Sequence, residues 1–101
     1  MKDPDSLPVI GQVVEVIRGR DRERFCIVVG IIDHRFVLIA DGDYRKYDKA
    51  KKKNVQHLKV IDFISDEVKN SINETGRVTN AKLRFAIQKF LEQYHLLKEG
   101  E

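Results

Sequence analysis

The sequence predicts a mainly β fold with an α-helical appendage (α+β): a small barrel followed by two helices. Three observations carry this. Short runs rich in Val and Ile recur between residues 12 and 63, separated by polar or glycine-containing turns. At Ser65 the texture changes to helix-start chemistry and then to a helical apolar period. The helices follow the strands instead of alternating with them, which argues against βαβ crossovers and a parallel sheet. With 101 residues and 42% hydrophobic content, the chain can build one small core.

Residues 1–8 read as a polar, flexible lead-in, because Pro4 and Pro8 discourage regular structure. Gln12-Val13-Val14-Glu15-Val16-Ile17 is the first strand. Arg18 to Arg24 is a polar loop around Gly19. Phe25 to Asp33 is a second strand, apolar on both parities, as expected when both of its faces are covered. Gly30 within it marks a bulge or a close backbone approach. Phe36 to Ala40 is a third strand, paired with the second through the tight connection Asp33-His34-Arg35. Asp41-Gly42-Asp43 is a turn in which Gly42 supplies positive φ. Tyr44 to Tyr47 is expected as a short strand, Lys49 to Asn54 as an exposed loop, and His57 to Phe63 as the last strand.

Ser65 then offers an N-cap oxygen ahead of Asp66 and Glu67, two acids placed at the positive end of a helix dipole. That helix should run from about Asp66 to Glu74 and end at Gly76. Thr79 or Asn80 caps a second helix. Its apolar residues Leu83, Ile87, Phe90, Tyr94 and Leu97 recur at spacings of four and three, widened by Ala86 and Leu91. Lys82, Arg84, Lys89 and Glu92 form the polar face. This stripe is expected to pack on the barrel or on the first helix. The predicted organisation is lead-in 1–8, barrel 9–64 and helical segment 65–101.

The net charge of +3 is mild, but its distribution is uneven. Residues 1–60 hold 13 Lys/Arg against 9 Asp/Glu, and residues 61–101 hold 6 against 7. Tyr44 to Lys59 alone carries 7 Lys/Arg against the single Asp48. The longest uncharged apolar stretch, Phe25 to Ile32, is too short to span a bilayer. Met1-Lys2-Asp3-Pro4-Asp5 lacks the basic start and apolar core of an export signal, so the expected location is the cytoplasm. Cys26 is the only cysteine and sits in an apolar run, where a buried hydrophobe is the expected role. Three scattered histidines and one cysteine make no metal cluster. No phosphate-binding loop, nucleophile elbow or carboxylate–histidine constellation is present, so no catalytic residue, cofactor, metal or small-molecule substrate is expected.

Gly11-Gln12-Val13-Val14-Glu15-Val16-Ile17-Arg18-Gly19, a charged loop, and a Val/Ile-rich strand with Gly30 resemble the KOW motif, found in ribosomal proteins and transcription elongation factors with SH3-like barrels. From Gly11 through Ile32-Asp33 to Ala40-Asp41-Gly42 the chain is similar to large-subunit ribosomal protein fourteen of the archaeal and eukaryotic type and to small bacterial KOW proteins. Lys51-Lys52-Lys53-Asn54-Val55-Gln56-His57-Leu58 is similar to the basic segment that closes the barrel there. The resemblance covers about residues 9–62. It implies an SH3-like KOW barrel that binds RNA through its loops without catalysis, in association with the ribosome. One departure stands in the first loop: the family usually has glycine before the basic residue that ends it, and here Glu23 precedes Arg24.

The candidate RNA-binding residues fall in two segments. In the first, Arg18, Arg20, Arg22 and Arg24 alternate, so an extended loop would put their guanidinium groups on one side to bridge successive phosphates. The second segment supplies Arg45, Lys46, Lys49, Lys51, Lys52, Lys53, Asn54, His57 and Lys59, whose cations would release counterions from a phosphate backbone. Tyr44 and Tyr47 flank basic residues and are candidates for stacking on unpaired bases, against the plainer reading of rim packing. The two segments are expected to meet at one end of the barrel. The expected partner is ribosomal or transfer RNA on or near the large ribosomal subunit, with no membrane. The alternative is a protein-interaction module that docks a translation or transcription partner through the barrel or the last helix.

Overall fold

The computed structural model describes residues 7–99, with side chains as far as Leu96. Residues 1–6 of the predicted lead-in and the Leu97 side chain of the predicted stripe lie outside the described residues. Five strands form one antiparallel sheet: β1 (Gln12–Val16), β2 (Phe25–Ile31), β3 (Phe36–Ala40), β4 (Lys51–Asn54) and β5 (Leu58–Ile64). Two helices follow, α1 (Asp66–Thr75) and α2 (Asn80–Glu99). Among the described residues, no helix is long and apolar enough to cross a membrane.

The strand order is β4-β3-β2-β1-β5. In a flat sheet the two outer strands would stand about 19 Å apart, four spacings of about 4.8 Å. Yet β4 and β5 are joined only by the 3₁₀ turn Val55–His57, which rises roughly 6 Å. The sheet must therefore curl until its edges approach, and this makes it the small SH3-like barrel expected. Two register shifts accommodate the curl: β2 against β3 between Val28 and Gly30, at the predicted bulge, and β1 against β5 between Gln12 and Val14.

Curling gives the sheet an inside and an outside, and both are apolar. Val14, Val16, Cys26, Val28, Val37, Ile39 and Leu58 fill the inside. Val13, Ile27, Val29 and Ala40 point outward, where Val68, Val78, Leu83, Ala86 and Phe90 from the helical segment cover them. Successive β2 residues thus enter different cores, which is why that strand reads as apolar on both parities. The predicted α2 stripe packs as expected: Leu83, Ala86 and Phe90 are buried, and Ile87, Leu91 and Tyr94 lie half-buried beside them.

The helix signals read from sequence are realised. Ser65 Oγ accepts the Val68 N–H at 3.2 Å, and the Ser65 N–H donates to Gly11 O at 2.9 Å, tying α1 to the start of β1. Gly76 closes α1 in the left-handed conformation (φ +80°), its N–H donating to Ile72 O. Thr79 Oγ1 accepts the Lys82 N–H at 3.2 Å and caps α2.

Three local expectations are corrected. The second strand ends at Ile31, before Asp33. Tyr44 to Tyr47 is not a strand. Asp41 Oδ1 gathers the N–H groups of Asp43 and Arg45 into a compact turn, and a 3₁₀ turn at Tyr47–Lys49 follows. Most consequentially, Lys51–Asn54 is not a loop but strand β4, in register with β3 from Ile39↔Lys51 to Phe36↔Asn54.

The helices fix where the connection between β3 and β4 lies. Gly42 has φ +81°, and a side chain there would run into the Asn80 carbonyl oxygen and the Leu83 Cβ. Asn80 Oδ1 accepts the Tyr47 N–H at 2.7 Å, Arg84 Nη1 donates to Gly42 O at 2.8 Å, and the Tyr47 hydroxyl donates to Gly76 O at 3.2 Å. The basic stretch is thereby clamped to the start of α2.

Candidate nucleic-acid interface

The loop between β1 and β2 is compact, and this corrects the extended row expected of its arginines. Arg22 N–H donates to Gly19 O, and Arg24 N–H to Asp21 O, giving two successive turns. The loop closes with Glu23 N–H donating to Val16 O at 2.7 Å and Val16 N–H donating to Arg24 O at 2.9 Å. Two residues thus oppose Val16, and the first of them, Glu23, has φ +75°. That is the bulge geometry in which glycine is favoured, at the position where the resemblance leads one to expect glycine. The chain keeps the fold of the loop with a strained residue in that place. Glu23→Gly should accordingly raise stability by up to about 1 kcal/mol, the strain released exceeding the added freedom of the unfolded chain. Urea denaturation checks this, and an unchanged or lower midpoint would refute it.

Asp21, at the centre of this arginine loop, is buried. Its Oδ2 meets Arg45 Nη2 at 3.3 Å and Lys51 Nζ at 3.5 Å. Burial opposes ionisation, but the Lys51 ammonium and the Arg45 guanidinium outweigh it and hold the carboxyl below the ordinary carboxylate range. From sequence, Asp21 reads as a partial neutraliser of the loop's own arginines. In the structure it ties the first basic segment to the second, so the two do meet.

The lysine run divides by strand alternation. Lys51 and Lys53 stand opposite Ile39 and Val37, residues of the barrel interior, so both point to the inner side of β4. Their stems run along that side and their ammonium groups emerge beneath the arginine loop. Lys51 reaches Asp21, and Lys53, itself buried, places Nζ 2.8 Å from where a Cβ on Gly19 would be. Lys52 faces the other way, with Nζ 4.4 Å from the centroid of the Phe36 ring.

The remaining candidates separate similarly. Arg18, Arg20, Arg22, Lys46, Lys49 and Lys59 are exposed. Arg24 lies over the exposed Tyr44 ring, 3.8 Å from its centroid, with Arg45 at 5.8 Å. Tyr47 is half-buried against the outer core with its hydroxyl engaged, which places it as rim packing. Asn54 Oδ1 accepts the Gln56 N–H at 2.9 Å and caps the 3₁₀ turn before β5. His57 belongs to that turn, and its carbonyl accepts the Ile17 N–H at the root of the arginine loop. Cys26 is buried in the barrel interior, where desolvation pushes its thiol up to about 12, an unreactive state at neutral pH.

The geometry is therefore a compact loop that exposes Arg18, Arg20 and Arg22, braced from below by Asp21, Arg45, Lys51 and Lys53. Lys46 and Lys49 are exposed on the connection between β3 and β4, and Lys52 on the outer side of β4. Such a surface suits a phosphate backbone. The comparisons with known proteins agree with this architecture. The KOW motif model matches residues 10–39, which span β1, the arginine loop, β2 and nearly all of β3. The "Putative ribosome-binding protein YbzG" of Bacillus subtilis (strain 168) is 50% identical over 72 residues, covering 71% of this chain and 97% of that protein. The large ribosomal subunit protein eL14 of Staphylothermus marinus is 32% identical over 65 residues, 64% of this chain and 68% of that protein. The eL14 of Hyperthermus butylicus is 29% identical over 87 residues, 78% of this chain and 89% of that protein. The chain belongs to the KOW-motif family, as a relative of YbzG and, more distantly, of eL14.

Proposed function

We propose that this protein binds RNA of the ribosome, without catalysis, and works in the cytoplasm where ribosomes are. The observation that carries the reading is the convergence of the two basic segments around the buried Asp21. Because Asp21 is spent on Arg45 and Lys51, the guanidinium groups of Arg18, Arg20 and Arg22 remain for phosphate oxygens. Their anchoring on a loop of consecutive turns lowers the ordering cost of binding. Arg18, Arg20 and Arg22 form the primary contact in this reading. Arg24, Lys46, Lys49, Lys52 and Lys59 add positive potential, with the exposed Tyr44 ring beside Arg24 available for stacking. Arg45, Lys51, Lys53, Asn54 and His57 shape the surface. The names of the relatives, a ribosome-binding protein and a large-subunit protein, direct the choice of RNA.

Filter binding to ribosomal RNA across a salt series tests this. Binding should be tight at low salt and weaken steeply as salt rises. Replacing Arg18, Arg20 and Arg22 together by alanine should flatten the log–log salt dependence by about 2 to 3. Absence of binding at low salt, or an unaltered slope in the triple variant, would count against the reading. Comigration with large subunits in a sucrose gradient, lost at high salt, extends the test to the ribosome. One observation favours a second reading, protein docking: the exposed Phe85 and Ile64 line a groove between the β5–α1 junction and α2. Under that reading, ribosome comigration would survive the triple arginine substitution and fail in Phe85→Ser.

A further inference from the structure

The tip of the β2–β3 hairpin lies outside the surface described so far. Its backbone is fixed by Asp33, whose Oδ1 accepts the N–H groups of Arg35 at 2.7 Å and Phe36 at 2.9 Å. The His34 and Arg35 side chains are exposed on this fixed turn. The tip lies against the 3₁₀ turn Val55–His57, with the Val55 N–H donating to Arg35 O at 2.8 Å. Between the two runs a groove of about 350 Å³ lined by His34, Arg35, Asn54, Val55 and Gln56. The Asn54–Gln56 hydrogen bond holds its far wall. Ile31 and Ile32, each about half exposed, flank it on the hairpin.

Position and chemistry together say what the groove suits. The same 3₁₀ turn that forms one wall also accepts the Ile17 N–H at the root of the arginine loop, through His57 O. One turn thus holds both the groove and the root of the arginine loop in fixed relation. The groove's volume is that of a small-ligand site, too small for a duplex and adequate for a single nucleotide. An imidazole and a guanidinium are planar groups that stack on bases, and a carboxamide offers both a donor and an acceptor to a base edge. Lys52, over the Phe36 ring at the hairpin root, adds positive potential for the adjoining phosphate.

We infer that the groove between the hairpin tip and the Val55–His57 turn is a subsite for one unpaired, extruded nucleotide of the RNA whose backbone the arginine loop grips. The inference rests on the RNA-binding reading, and its test separates the two. Three RNA probes are compared by filter binding: a fully paired hairpin stem, the same stem with a one-nucleotide bulge, and that bulge with the base removed. The wild-type protein should prefer the bulged stem by roughly ten-fold, as stacking of one base provides, and should treat the base-less bulge like the paired stem. His34→Ala/Arg35→Ala should lose the preference while retaining most of the affinity and salt dependence for the paired stem. Gln56→Ala should reduce the preference without touching the charge. All three side chains are exposed, and an unchanged thermal transition verifies folding of the variants. Failure of the wild-type protein to bind any probe would overturn the RNA reading itself. Equal binding to bulged and paired stems would overturn the subsite alone, and it is the outcome if the tip docks a protein. Retention of the preference in His34→Ala/Arg35→Ala, or equal loss of affinity for all three probes, would also overturn the subsite.

Discussion

Phe90→Ala should destabilise the whole chain by about 3–5 kcal/mol, the usual cost of deleting a large buried aromatic. Phe90 is 3% exposed on α2. Its ring meets Phe25 of β2 edge-on at 5.0 Å, Phe63 of β5 at 5.5 Å and Tyr94 of its own helix at 5.4 Å. The substitution opens a cavity where two strands and the helix join, and it removes aromatic pairs that add to the area term. For a domain of this size, about 3 kcal/mol is a large share of a total of 5–15 kcal/mol and should lower Tm by about 12 °C or more. Thermal unfolding followed by far-ultraviolet circular dichroism and by tyrosine absorption should show one transition, shifted as a unit. A helical signal that melts early while the sheet stays at the wild-type Tm would show that the helices are a separate appendage. Phe85→Ala is the control on the same helix. That ring is 52% exposed, and its loss should change stability by less than about 0.5 kcal/mol.

The features legible in the sequence are those decided within a few residues of themselves. Ser65 followed by two acids makes an N-cap wherever it stands, and the three- and four-residue spacing from Leu83 to Tyr94 defines one helical face in any context. The double parity of β2 was legible because residues covered on both faces leave no polar alternation to see. What escaped was decided by partners far along the chain. A run of three lysines reads as a solvated loop, because nothing local says that β3 offers an open edge. Still less does it say that the inward lysines have an exit beneath the arginine loop. Tyr44 to Tyr47 has the residues of a strand, yet Asn80, thirty-three residues away, takes the Tyr47 N–H. The alternation of Arg18, Arg20, Arg22 and Arg24 implies one side only for an extended backbone, and the turns here redistribute them. In the candidate site, the charges were legible and their division of labour was not. An aspartate among arginines gives no sign that its partners are Arg45 and Lys51.

That division makes Asp21 the position where stability and the proposed binding surface are most closely joined. Asp21→Asn should cost about 1–3 kcal/mol at neutral pH, because it leaves two cations facing a nearly buried, uncharged group. Arg45 and Lys51 remain about a third exposed, so solvent screening keeps the loss near the lower end. Protonation should mimic the substitution. The folded-state carboxyl titrates below its ordinary value of 3.8. The stabilisation it gives is therefore present above that value and is lost as the pH falls through the lower, folded-state value. Between neutral pH and about pH 4, wild type and Asp21→Asn should differ by a constant amount, and below that their stabilities should converge. Urea denaturation of both proteins at stepped pH measures the difference directly. A gap that persists at the acid end, or one that closes already above pH 5, would show that the carboxylate is not held ionised by Arg45 and Lys51. The same variant separates charge from architecture in RNA binding, because it raises the net charge by one. If positive charge alone governed affinity, Asp21→Asn would bind ribosomal RNA more tightly at low salt. If the fixed placement of Arg18, Arg20 and Arg22 matters, as the structure of the loop argues, it should bind no tighter or more weakly despite the added charge.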